Sequence, residues 1–175
     1  TEEAYNLGKE TGQNLRSIGV NMNMAPVLDI LSNKENRVVK TRTYGSDPIT
    51  VSKNALSFVK GLKEEKVISI GKHFPGHGST VKDSHIDLPI LYKTKEELYN
   101  LELIPFIEAI KEEIPGIMIG HIKLPKIDEY PSSMSEELIN KLLRDELTYK
   151  GIVMTDSLKM KALTKYYNSE EIYYR

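Results

Sequence analysis

The stretch GKHFPGHGSTVKDSH, Gly71 to His85, holds three of the four histidines of the chain together with Lys72 and Asp83. Three chemistries could use such a segment. A metal site would take His73, His77 and His85, with Asp83, since imidazole and carboxylate suit zinc or iron; their spacing matches no common ligand motif. A phosphate cradle would take PGHGST and Lys72. A Walker loop, however, needs its Lys-Ser/Thr after the glycines and at the start of a helix, and here the lysine comes first. A glycosidase needs one nucleophile below the sugar ring and one proton donor beside the leaving oxygen. Asp156 suits the first role, because GIVMT reads as a strand and Asp156 stands at its carboxyl end. Asp83-Ser84-His85 suits the second. Residues two apart in an extended segment face the same way, so Asp83 can fix the tautomer of His85 and leave the other ring nitrogen for acid and base work.

These residues must be positioned by the elements around them. Ala4, Leu7, Thr11, Leu15 and Ile18 recur at helical spacing, with Gly19 as a stop. VNMNMAPVLDI alternates as a strand does, and the long LSNKENRVVKTRTYG segment reads as a working loop. A second helix is expected from Ser46 or Asp47, with Pro48 in its first turn and Val51, Ala55, Phe58, Val59 and Leu62 inward. VISIG is the second strand. Thr94 and Glu97 form a capping-box pattern for a third helix, with Leu98, Leu101, Ile107 and Ile110 inward and a break at Pro105. GIMIG is the third strand, followed by His121. SEELINKLLRDEL is a helix capped by Ser135, GIVMT the fourth strand, and a last helix is expected near Leu158. Four strands alternating with helices predict a parallel α/β sheet. Asn23, Asp29, Lys72, His73, His121 and Asp156 all fall at carboxyl strand ends, where parallel α/β folds place their chemistry.

Composition narrows the classes. The chain has 175 residues, enough for one core, with 24 Lys and Arg against 25 Asp and Glu and no cysteine. No basic excess points to nucleic acid, and no apolar run reaches the roughly 20 residues of a membrane span. No protein partner and no compartment is inferable. The first residue is not methionine, and the opening already reads as mid-helix, as in a piece of a longer protein.

KHFPGHGSTVKDSHIDLP resembles the signature of glycoside hydrolase family 3, in its β-N-acetylhexosaminidase branch. GVNMNMAPVLDI, RTYGSDP, GIMIGHIKLPKID and GIVMTDSLKM resemble further segments of that family, in the same order. The resemblance implies a (β/α)8 TIM barrel, of which residues 1–175 would be a partial catalytic domain. About four parallel strands are present; the first strands and the closing strand are lacking. It implies Asp156 as nucleophile and His85, paired with Asp83, as acid/base. Arg42, Lys72 and His73 would bind sugar hydroxyls, and His121 would line the same pocket. No metal or organic cofactor is implied. The PGHG…DSH segment marks the branch, so the implied substrate is a terminal β-linked N-acetylglucosamine of peptidoglycan fragments or chitin oligosaccharides. The alternatives are a β-glucosidase-like hydrolase and a sugar-binding remnant without turnover.

Two features depart from the pattern. The acidic-Gly-Gly-Arg segment usual on an earlier strand is missing, and Ser79 stands where an acidic residue is commoner. Each candidate also has a plainer reading. Asp156 could cap the next helix, Arg42 could be a surface arginine, and His121 could be a hydrogen-bonded strand-end residue. His77 reads as a shape-holding residue of its loop, Asp29 as a tie for its own loop, and Met22 and Met24 as barrel packing.

Overall fold

The computed structural model describes residues 1–80 and 83–174. Its centre is a sheet of four parallel strands in the order β1-β2-β3-β4: β1 Met22–Asn23, β2 Ile68–Phe74, β3 Gly116–Ile119 and β4 Ile152–Thr155. Each strand pairs with its neighbour in sequence, and the order never reverses. A doubly wound sheet reverses at a switch point, whereas an unreversed run is an arc of a barrel. Among the described residues no helix is long and apolar enough to cross a membrane.

Helices fill the connections. α1 (Glu2–Ser17) precedes β1, and α2 (Pro48–Glu64) precedes β2. The Asp47 side chain accepts a 2.7 Å bond from the Thr50 amide and caps α2, with Pro48 in the first turn as expected. Val51, Ala55, Phe58, Val59 and Leu62 are all buried. Thr94 and Glu97 complete a reciprocal capping box on α3 (Lys95–Tyr99). Pro105 then separates α3 from α4 (Ile104–Lys111), since a proline is tolerated only in a first turn. Ser135 caps the π-helical segment Glu137–Glu146, accepting from the Leu138 amide at 3.1 Å. α5 (Lys161–Thr164) and α6 (Ser169–Tyr174) follow β4.

Four expectations need correction. The inward face of α1 is Ala4, Gly8 and Gly12, while Leu7 and Ile18 are 54% and 74% exposed. Backbone closeness decides this. A Cβ on Gly8 would lie 2.2 Å from the Phe58 carbonyl oxygen, and one on Gly61 would lie 2.3 Å from that of Tyr5. The two helices therefore meet through glycines; Leu7 and Ile18 are turned out, while Leu15 packs partly buried against Phe58, Leu62 and Val67. The first strand is shorter than VNMNMAPVLDI suggests. Pro26 has no N–H to give the ladder, and pairing resumes as a single bridge between Val27 and Lys72. The third helical region turns Leu98, Leu103, Phe106 and Ala109 fully inward, whereas Ile107 and Ile110 pack against the core only from its margin, partly buried. The single helix expected near Leu158 is two short ones, α5 beginning at Lys161 with Met160 as its N-cap and α6 at Ser169.

The main core lies between the sheet and α2, α4 and the π-helical segment, around Phe74, Phe106, Ile117, Ile119, Leu138 and Leu142. Phe74 and Phe106 meet edge to face, with ring centroids 5.4 Å apart. The α1–α2 contact tests the reading of the glycines. Gly61→Ala should lower stability by about 1–3 kcal/mol through overpacking against backbone. A urea unfolding midpoint unchanged from wild type would refute that.

Candidate active site

Every charged or imidazole side chain singled out from the sequence lies at the carboxyl side of the sheet. Their common support is Asp29, which is fully buried just beyond the Val27 bridge. One carboxylate oxygen accepts from the His77 amide at 2.6 Å, and the other meets His73 Nδ1 at 2.7 Å. Burial pushes the Asp29 carboxyl up, but the charge and hydrogen bond of His73 and the nearby His77 outweigh it and hold the group below its ordinary 3.8. Asp29 therefore ties the end of β2 to the PGHG turn, and not merely its own loop. Thr43 Oγ1 donates to the Asp29 carbonyl oxygen at 2.5 Å and brings the Arg42 segment alongside.

The three histidines of the opening stretch go to separate partners. His73 is on Asp29. His77 is buried, with Nδ1 2.7 Å from Thr80 Oγ1 and Nε2 3.2 Å from Ser84 Oγ. Burial lowers its pKa first, and the neighbouring His73 adds to this. His85 Nδ1 lies 2.8 Å from Asp83 Oδ1, which also accepts the His85 amide at 2.8 Å. Burial raises the Asp83 carboxyl, yet the backbone, side-chain and charge contacts of His85 bring it below 3.8. The Asp83 side chain is 37% exposed and that of His85 is 63% exposed. The imidazole therefore has one nitrogen on the carboxylate and its other edge toward solvent. Among the described residues no cluster of three or more His, Asp or Glu side chains is arranged to hold a metal ion.

Asp156 follows β4 directly. Its amide donates to the Ile119 carbonyl at 2.9 Å, and its Oδ1 accepts from the Ser157 amide at 2.7 Å. It does not cap α5, which begins only at Lys161. A cavity of about 310 Å³ is lined by His85, Asp156, Ser157, Lys159, Met160 and Lys161. Asp156 and His85 thus open onto one space, with Asp83 bonded to the imidazole from outside the lining. A larger cavity of about 620 Å³ lies at the opposite end of the strands, around Pro115 and Gly151, away from these groups.

Lys72 is half-buried. Burial lowers its pKa most, and the charge of Arg42 adds to this, while Asp156 and Asp29 act in the other direction. Arg42 and Asp156 are therefore each within electrostatic reach of Lys72. Arg42 is exposed, and its Nη1 contacts the Val38 carbonyl at 3.5 Å. His121 is buried with both ring nitrogens engaged, Nδ1 on Ser133 Oγ at 2.7 Å and Nε2 on the Ser157 carbonyl at 3.0 Å. A carbonyl only accepts, so Nε2 carries the proton and Nδ1 takes one from Ser133. Burial lowers the His121 pKa, opposed by the Ser157 bond and by Asp156.

Sequence reasoning missed Ser84, Ser133 and the support beneath PGHGST. Gly78 packs where a Cβ would lie 1.7 Å from the Ile30 carbonyl oxygen. Ser79 Oγ contacts both Ser32 Oγ and the buried Glu102, which also takes Lys93 Nζ. A small hydroxyl fits there, whereas an acidic residue would set two carboxylates against each other. The one sequence signal available was Asp29 itself, a charged residue inside the apolar run PVLDI.

Two pH effects follow. Asp29 has its pKa depressed on folding, so its stabilisation is complete above about pH 3.8 and is lost as pH falls through the folded value. Asp29→Ala should cost about 3–5 kcal/mol at neutral pH and flatten the acid limb of a stability–pH curve. His121 is also depressed, from 6.5. Its share of stability is full above about pH 6.5 and falls away as pH drops toward its lower folded value. His121→Gln should remove part of that decline in a series of thermal melts, and an identical slope would contradict the assignment.

Known proteins resemble the chain over nearly its whole length. The chain is 38% identical to "Beta-hexosaminidase A" of Pseudoalteromonas piscicida, over 96% of this chain and 30% of that protein. It is 36% identical to "Beta-hexosaminidase" of Idiomarina loihiensis, over 92% of this chain and 48% of that protein. The chain thus spans less than half the length of these curated relatives. Its fold matches the structure of a glycoside hydrolase family 3 β-N-acetylglucosaminidase from Paenibacillus with a TM-score of 0.92 and 41% identity, covering 95% of this chain and 32% of that one. The Glycosyl hydrolase family 3 N terminal domain matches residues 1–175, and the chain belongs to that family.

Proposed function

We propose that this chain carries the catalytic groups of a retaining glycoside hydrolase that removes terminal β-linked N-acetylglucosamine. The observation that carries the reading is the cavity shared by Asp156 and His85, the latter bonded to Asp83. The names of the relatives support the sugar, and the four strand ends supply part of an eight-stranded barrel's catalytic face.

The Asp156 carboxylate attacks the anomeric carbon, and the glycosidic bond breaks as protonated His85 gives its Nε2 proton to the leaving oxygen. Asp83 takes up Nδ1 and leaves Nε2 as the outward nitrogen. In the second step neutral His85 takes a proton from water, the water oxygen bonds to the anomeric carbon, and Asp156 leaves as carboxylate. Arg42, Lys72 and His73 grip hydroxyls of the sugar ring. His121, with both nitrogens occupied by protein, acts by holding the Ser157 carbonyl and so the backbone of Asp156. Peptidoglycan-derived fragments and chitin oligosaccharides present the required terminal residue.

In the protein that carries this chain, Asp156→Ala and His85→Ala should each reduce hydrolysis of an aryl N-acetylglucosaminide by about 10²–10⁴-fold or more. Near-normal rates would remove that residue from the mechanism. The same assay with an aryl glucoside tests the sugar, and a preference for the glucoside would overturn the assignment.

A further inference from the structure

Ser84 is the middle residue of Asp83-Ser84-His85. Its neighbours are partly or fully exposed, whereas Ser84 is buried; the segment is a turn rather than the extended stretch expected from the sequence, with the Ile86 and Asp87 amides on the Asp83 carbonyl and the His85 amide on the Asp83 side chain. Inside, its hydroxyl meets His77 Nε2 at 3.2 Å, and its carbonyl accepts from the Ala162 amide of α5 at 3.2 Å. His77 is itself fixed from three directions. Its amide is on Asp29, its Nδ1 is on Thr80, and its carbonyl accepts from Asn36 Nδ2 at 2.8 Å. The bonds of the His85 side chain and amide run to Asp83. They hold the pair together internally and do not say where the pair sits relative to Asp156.

We propose that His77 and Ser84 are positioning residues that set the Asp83–His85 pair in register with Asp156, through Asp29 on one side and α5 on the other. The route is continuous. Asp29 fixes His77, His77 fixes Ser84, and the Ser84 backbone is joined to α5, whose approach from β4 contributes Asp156, Ser157 and Met160 to the cavity. The inference rests on the glycosidase reading and adds residues that touch neither sugar nor leaving group. It gives the buried His77 a task that its position in the turn does not reveal.

The test uses kcat/KM, which reports the step that breaks the glycosidic bond, for two N-acetylglucosaminides. One carries a dinitrophenyl aglycone, which leaves without protonation; the other carries a sugar aglycone, which needs it. Ser84→Ala and His77→Gln should lose about 10-fold or more on the sugar aglycone and much less on the dinitrophenyl one. Ser84→Thr, which keeps the hydroxyl, should recover most of the loss. Equal losses on both aglycones would mean a merely structural role and would overturn the proposal, as would unchanged rates. Amide hydrogen exchange gives a readout free of activity. The Ile86 and Asp87 amides donate to the Asp83 carbonyl at 2.9 and 3.0 Å, and their protection should fall in Ser84→Ala while that of α2 stays unchanged. Unaltered protection would overturn the anchoring. A wild type inactive toward both aglycones would instead overturn the glycosidase reading, and the exchange result would then decide the anchoring alone.

Discussion

A carboxylate buried completely in protein must be surrounded by donors, because removing it from water costs far more than any single contact returns. Asp29 meets that demand with the backbone amides of His73 and His77 and the His73 imidazole, from two points on the following strand and turn. The requirement works in both directions. Since Asp29 needs these donors, the end of β2 and the PGHG turn have one arrangement that satisfies it. Lys72 and His73 are thereby set at the strand end, and His77 is set facing the next segment. The local geometry of half the site is thus a consequence of solvating one charge without water.

The remaining support has the same character. Ser79 is shared by Ser32 and Glu102, Thr80 by His77 and Asn36, and Ser133 meets His121. Small hydroxyls recur because they can donate and accept at once, which suits a wall built from a few charges and several histidines. The side chains facing the cavity differ from this wall. His85 is mostly exposed, and Asp156 is bonded on one oxygen by its neighbour's amide. Rigid groups stand behind and solvated groups in front, the division expected of a site whose geometry must hold while protons move.

Much of this was legible in the sequence, for identifiable reasons. The strand ends were found because apolar runs such as GIVMT stop abruptly at polar residues, and α2 and α3 because Asp47, Thr94 and Glu97 carry local capping signals. The pairing of Asp83 with His85 is also local, two residues apart. What stayed hidden depends on distance or on the lack of a side chain. The partners of Asp29 lie 44 and 48 residues away, and no periodicity reports such a contact. The packing face of α1 is centred on glycines, which leave no hydrophobic signal, so Leu7 and Ile18 pointed to the wrong side while Ala4 and Leu15 did not. Ser84 was masked by its neighbours, because the chemistry of Asp83 and His85 draws attention away from the residue between them.

The contact between His121 and Ser157 is made to a backbone carbonyl and not to the serine hydroxyl. Every amino acid supplies that carbonyl. The strand end that carries Asp156 is consequently held in a way that is indifferent to the side chain at position 157, which is exposed at the rim of the cavity. Substitution there alters the lining of the pocket without loosening the backbone beneath it. Position 157 is therefore a place where sequence drift, or deliberate diversification, can reshape what the rim touches while the neighbouring carboxylate keeps its place.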